Sequence, residues 1–300
     1  MTTLSSASTR QGLVFAAGAY LCWGLFPLYW KPLHEVPALQ ILAHRIVWSA
    51  LLLTLILAIR GQWGWLAESL RDKRRMALLA VSATMLSCNW LVYIWAVTHN
   101  RVIEASLGYF INPLVNVLLG WLVLGERLTR LQSIAVALSA LGVAWLTFSV
   151  GTLPWIALVL AVSFGIYGLL RKTAHLPSLE GLALETWLLF PLALGALLWF
   201  EAQGEGVFGH AASGINLLLI GAGIVTTIPL LLFGAGARRL PMTMLGLLQY
   251  LSPTIQFLLG VWLYHEPFSG TRLIGYGLIW SALLLYSGVS LFGALRTRRT

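Results

Sequence analysis

Charge is what this sequence has least of. Lysine, arginine, aspartate and glutamate make up 10% of its 300 residues, against about 25% in an ordinary soluble domain. With 59% hydrophobic residues, the chain has too little polar surface to cover a water-soluble fold, so it reads as a polytopic membrane protein. Acidic residues are the scarcer sign, 10 against 19 basic, for a net charge of +9. In a soluble chain that excess would suggest nucleic acid. Here it marks cationic loops beside anionic lipid, and no nucleic-acid partner is expected. Cysteine is nearly missing: Cys22 and Cys88 lie in apolar runs without a CxxC partner, which excludes a disulfide framework and a zinc site. The six histidines are scattered and no HExxH occurs, so neither metal nor cofactor is expected. The GxxxxGKS/T phosphate loop is also absent, so the chain is not expected to hydrolyse ATP. The first apolar run extends to about Trp30, too long for a cleaved signal, and is expected to remain as the first span.

What the sequence does have is long apolar runs. Crossing the hydrocarbon takes about 20 residues of helix. Ten segments of that length fit, at about 11–31, 38–59, 76–98, 103–124, 131–149, 153–171, 179–201, 214–237, 242–264 and 271–293. If the N-terminus is cytoplasmic, the inner segments hold 15 lysines and arginines and the outer ones only Lys31, Arg101 and Arg272. That bias predicts both termini on the cytoplasmic side. The connection 60–75, RGQWGWLAESLRDKRR, puts Trp63, Trp65, Leu66 and Leu70 on one side and basic residues opposite and after. It reads as an interfacial helix on the cytoplasmic leaflet.

The hydrophobic architecture occurs twice, about 140 residues apart. At that offset Pro113 falls on Pro253, Leu118-Leu119-Gly120 on Leu258-Leu259-Gly260, and Glu126 on Glu266; near the first span the offset is 141, pairing Gly24 with Gly165. Two units are expected, 1–150 and 151–300, each with five spans. An odd number of spans inserts the second unit upside down, an arrangement that puts a solute site at the midplane between the halves. The expected fold is therefore all-α, ten transmembrane helices as two inverted five-helix repeats. One difference between the repeats stands out: Gly125-Glu126 after the fourth span becomes His265-Glu266 after the ninth, so the turn there is expected to differ in shape or to titrate. Glu126, closing its helix, reads as structural, capping the next helix or pairing with Arg127 or Arg130.

Several strings carry a family resemblance. They are WGLFPLYWK (23–31), HRIVWS (44–49), NWLVYIWAV (89–97) and EASLGYFINPLVNVLLG (104–120). In the second half they are GIVTTIPLLLF (223–233) and LGLLQYLSPTIQFLL (245–259). Over its whole length the chain resembles the drug/metabolite transporter superfamily of the EamA type, and within it the RarD-like permeases. The resemblance implies ten helices in two EamA repeats and the export or uptake of a small metabolite across the inner membrane.

A charge at the bilayer centre costs about 2.5–3.5 kcal/mol on insertion scales and so faces protein or water. Two full charges lie well inside the expected spans, Arg45 and Glu185, at equivalent positions of the two repeats. Inversion puts them on opposite sides of the midplane, roughly 12 Å apart in depth. Two readings stand. In one they pair, or bond to backbone carbonyls, and lock the halves together. In the other they line a central cavity, Arg45 for a carboxylate and Glu185 for an amine or a proton, which suits an amino-acid-like zwitterion. His44 points about 100° around the helix from Arg45 and is either a hydrogen-bonded packing residue or, with Glu185, part of a proton relay.

A second set of polar residues recurs beside the two prolines. Asn89 and Tyr93 share one face of the third helix; Tyr109, Asn112 and Asn116 form a stripe bracketing Pro113 in the fourth; Gln249 and Gln256 flank Pro253 in the ninth. Such stripes bond neighbouring helices or line a cavity, and each proline frees a carbonyl one turn earlier and is expected to kink its helix. Trp48 and Trp90, with Trp23 and Trp187, lie near these positions and are candidates to stack on a substrate. Trp121 and Trp262 read as lipid or interface anchors. The function expected is a secondary carrier working by alternating access on a small-molecule substrate, as a monomer or a homodimer. A membrane-embedded enzyme acting on lipid, or a non-transporting scaffold or sensor, is the alternative. An enzyme needs a catalytic set gathered at one place, and the scattered histidines do not provide one.

Overall fold

A computed structural model describes residues 6–61, 63–125, 129–173, 176–237, 239–240 and 248–296. Among these every regular element is helical. In chain order they are α1 (Ser6–Gly24), α2 (Phe26–Trp30) with a 3₁₀ turn (Lys31–Leu33), α3 (Ala38–Arg60), α4 (Gly64–Arg71), α5 (Lys73–Thr98) and α6 (Val102–Leu124). The second half holds α7 (Arg130–Val150), α8 (Trp155–Thr173), α9 (Ser178–Ala202), α10 (Ser213–Ala237), α11 (Leu251–Leu258) running into a π-turn (Leu259–Leu263), and α12 (Gly270–Arg296). Helix thus lies on each of the ten apolar segments. Among the described residues six helices are long and apolar enough to cross a membrane, seven if α1 and α2, bent by 42°, count as one span. Glu126 and Arg127 lie outside the described residues, as does most of the run before Leu248.

Local chemistry sets the helix limits. Pro27 in the first turn of α2 has no N–H to give, and the break from α1 falls at Leu25. Pro37 precedes α3, which ends on Gly61 at φ +63°. The Asp72 side chain accepts from the Arg75 N–H at 3.0 Å and starts α5, as an N-cap should. Thr129 and Gln132 form a capping box that starts α7. Pro113 lies inside a continuous α6, whereas Pro253 falls in the first turn of α11, just after a turn at Tyr250. The two prolines thus sit differently: one is within a helix, the other where a missing N–H costs least. Pro191 and Pro229 also lie within helices, α9 and α10.

The packing is inverted with respect to a soluble protein. Phe148, Trp262 and Leu284 turn outward, with Trp262 71% exposed, while Arg45, Asn89, Asn112, Glu185 and Thr227 are buried. The strongest helix contacts run between the two halves of the chain, and exchanging the halves maps them onto one another. α1 packs on α10 as α8 packs on α5; α3 packs on α10 as α9 packs on α5; α6 packs on α8 as α11 packs on α1. The remaining crossings, α3 with α9, α6 with α11 and α7 with α12, are their own mates. Single residues repeat the correspondence. A Cβ on Gly24 would lie 2.9 Å from Ile255, and one on Gly165 would lie 3.0 Å from Val115; Val115 and Ile255 are 140 residues apart. Glycine is needed at both positions because the facing β-branched side chain occupies the space of a Cβ.

His265 adopts φ +50°, in the same left-handed region as Gly125 at +66°, but it follows a π-turn whereas α6 is α-helical to Leu124; residues 126–128 lie outside the described residues. In the 60–75 connection, Trp63 and Trp65 each stack on Trp187 of α9, with ring planes 13° apart. Trp65 and Leu66 also pack beside the buried Leu79 and Leu184, while Leu70 stays exposed. Part of the apolar side of α4 is therefore spent on the bundle.

Candidate functional site

Arg45 sits two turns into α3 and is buried. Its surroundings are aromatic. The guanidinium carbon lies 4.0 Å from the ring centre of Trp90, 5.3 Å from that of Trp30 and 5.7 Å from that of Phe26. Tyr93 and Tyr109 are within electrostatic range of it and meet edge to face, 5.7 Å apart. Three stretches of chain build this cage: the bent α1–α2 segment, α3 and one face of α5. The ring faces offer the cation about 2 kcal/mol or more when desolvated, but they accept no N–H hydrogen bond of ordinary strength. Arg45 Nε and Nη1, the Tyr93 hydroxyl and Trp30 Nε1 are buried with no hydrogen-bond partner among the described residues.

Glu185 lies in α9, where Ser82 of α5 donates to its Oε1 at 2.6 Å. Trp90, which touches Arg45, and Ser82, which touches Glu185, are eight residues apart on α5, or about 12 Å of helix rise. The two charges therefore occupy different levels of the bundle.

The polar stripes form a chain of inter-helix hydrogen bonds. Asn89 donates to the Leu160 carbonyl (2.9 Å) and to Ser163 Oγ (3.1 Å) of α8, and Tyr109 donates to Asn89 Oδ1 at 3.2 Å. Asn112 donates to the Ala161 carbonyl at 3.0 Å, while Asn116 and Gln249 both donate to its Oδ1. Gln256 donates to the Trp23 carbonyl of α1 at 2.9 Å. These residues thus tie α5, α6 and α11 to α8 and α1. Each such bond contributes on the order of 1 kcal/mol within a membrane.

His44 and Trp48 stand apart from the cage. They line a cavity of about 310 Å³ with Gln40, Glu201 and Phe208, and the His44 ring lies 4.9 Å from that of Phe208. Gln40 closes one end by donating to the Glu205 carbonyl and accepting from the Val207 N–H. A larger cavity, about 610 Å³, opens where the ends of several helices meet, between Lys31, His34, Asn100 and Tyr264. Lys31 donates to Asn100 Oδ1 and sits 4.6 Å above the Tyr264 ring. Tyr264 is also within electrostatic range of Tyr93. Glu266, near Lys31 and Tyr264, is committed elsewhere: it accepts from the Val102 and Ile103 N–H groups at the start of α6.

Sequence reasoning passed over Trp30 and Phe26, the cage walls, and Ser82, the partner of Glu185. Trp30 and Phe26 belong to the WGLFPLYWK string, where a dense aromatic cluster next to an intramembrane arginine was the available signal. Ser82 had none, since a serine in an apolar helix usually bonds its own backbone.

An apolar helical bundle with its polar groups turned inward and several membrane-crossing helices defines a multi-pass membrane protein. Residues 10–148 and 153–288 each match the EamA-like transporter family, and the chain belongs to that family. It is 48% identical to the "uncharacterized transporter YojE" of Bacillus subtilis, over 95% of this chain and 96% of that one. It is 42% identical to "protein RarD" of Escherichia coli K12, over 99% and 100%. A solved crystal structure superposes with a TM-score of 0.59, covering 95% of this chain and 98% of its own at 21% identity, and shares the fold. The protein is a membrane transporter of the EamA family.

Proposed function

We propose that the chain is a secondary carrier of the cytoplasmic membrane, moving a small, amino-acid-like metabolite by alternating access. Ten spans form two inverted five-helix repeats, 1–150 and 151–300, with both termini cytoplasmic and the solute path between them. The observation that carries this reading is the exchange symmetry of the packing, in which Gly24 against Ile255 mirrors Gly165 against Val115. Halves that interlock through equivalent contacts have two equivalent ways to rock, one opening to each side. The positive-inside bias assigns the Lys31–Tyr264 vestibule to the outer face.

The binding region comprises Arg45, Trp90 and Tyr93, with the Asn89, Tyr109, Asn112, Asn116, Gln249 and Gln256 network as its wall. Trp48 and His44 line a side cavity, and Glu185 serves as the protonatable group that couples transport. Reconstitution into proteoliposomes tests the reading. Preloaded solute should drive counterflow of labelled solute, and Glu185→Gln should abolish pH-gradient-driven uptake while sparing counterflow. A protein that folds and inserts but exchanges no solute from a broad metabolite panel would defeat the carrier reading.

A further inference from the structure

We infer that the Arg45 cage is a receptor for an organic anion, recognising a carboxylate whether or not the solute also carries an amine. The inference rests on the carrier reading for its role and on the donor geometry for its chemistry. A buried guanidinium is expensive unless an anion and hydrogen bonds offset it. Its neighbours here are ring faces, and no carboxylate or carbonyl bonds Nε or Nη1. The Tyr93 hydroxyl and Trp30 Nε1 add two further buried donors from walls of the same cage. Four donor atoms and one fixed positive charge match an oxyanion, because a carboxylate offers two oxygens and about four lone-pair sites.

The same arrangement bears on the amine. Glu185 bonds Ser82 at a level about 12 Å along α5 from Trp90. An α-amino acid has its ammonium and carboxylate on one carbon, and the α5 partners of the two charges stand more than two turns apart, so the carboxylate is the group this cage is built to recognise.

The test uses the full chain purified in detergent and two matched triads sharing one body: 3-phenylpropanoate, phenylalanine and 2-phenylethylamine; and hexanoate, norleucine and pentylamine. Ligand that binds the folded state raises its thermal midpoint. The carboxylate and zwitterion of at least one triad should stabilise the protein and the amine should not. Arg45→Met should weaken carboxylate binding by about 10- to 100-fold, the range for losing a charged hydrogen bond. Without ligand, Arg45→Met should melt at or above the wild-type temperature, since it removes a buried charge that has no anionic partner. Tyr93→Phe and Trp30→Phe keep the cage packed and should each weaken the carboxylate several-fold, which holds the test open if Arg45→Met does not fold. Stabilisation led by the amine, equal carboxylate binding in all variants, or no carboxylate response in either triad would overturn the inference. Counterflow of the binding carboxylate separates the two claims. Binding without flux defeats the carrier and leaves the anion site, whereas flux confined to amines leaves the carrier and defeats the anion site.

Discussion

Glu266 caps the start of α6, and Glu266→Gln measures what it does. The residue is 7% exposed, and its carboxylate accepts from the Val102 N–H at 2.7 Å and the Ile103 N–H at 2.9 Å. Both are orphan donors of the first turn of α6, which no intrahelical carbonyl can satisfy, and the helix dipole adds to the attraction. Hydrogen bonds to a charged acceptor contribute about 1.5–3 kcal/mol each. Glutamine keeps one acceptor oxygen but turns its amide N–H groups toward the second backbone donor, so one bond is lost and one buried N–H is left unmet. The net cost should be about 2–4 kcal/mol. Because the contact links residue 266 to residue 102, the loss falls on the crossing of the α11 segment over α6. Unfolding in mixed micelles, followed by tryptophan fluorescence, should give a destabilisation in that range, and Glu266→Asp an intermediate one. A Glu266→Gln protein within about 0.5 kcal/mol of wild type, the usual scatter of a surface substitution, would refute the capping argument.

Other substitutions test other links. His265→Gly relieves a left-handed residue at φ +50° and should stabilise by about 1 kcal/mol, measured in the same unfolding assay. Gly165→Val forces a side chain to within about 3 Å of Val115 and should cost about 1–3 kcal/mol of overpacking or more, with a matching loss in Gly24→Val if the two crossings are equivalent. Asn112→Leu removes the donor to the Ala161 carbonyl and the acceptor shared by Asn116 and Gln249. It should destabilise by about 1–3 kcal/mol and loosen α11, read as faster backbone amide exchange there.

The helical segments were legible in the sequence because hydrophobicity over about 20 residues is a local property of the chain. The punctuation is local too, since Pro37, Gly61 and the Thr129–Gln132 box act on their immediate neighbours, but the sequence analysis did not single these residues out. Pro113 and Pro253 share the 140-residue offset, and Val115 and Ile255, at the same offset, face Gly165 and Gly24. The shape of the 265 turn was not legible, since a histidine in the left-handed region is held there by its surroundings rather than by its own preference.

At the site, residue types alone mark the side chains too polar for lipid: Arg45, Glu185 and the asparagine and glutamine stripes. Insertion cost depends on residue type and depth alone. Which of these groups meet was decided only by the tertiary structure. Nothing local tells that Arg45 faces Trp90 and Trp30, that Glu185 takes a proton donor from Ser82, or that His44 turns to Phe208 in a separate cavity. Partners separated by tens to more than a hundred residues meet only when the bent first segment, α3, α5 and α9 pack together. That packing decides whether a buried donor finds an acceptor or is left to bind a solute.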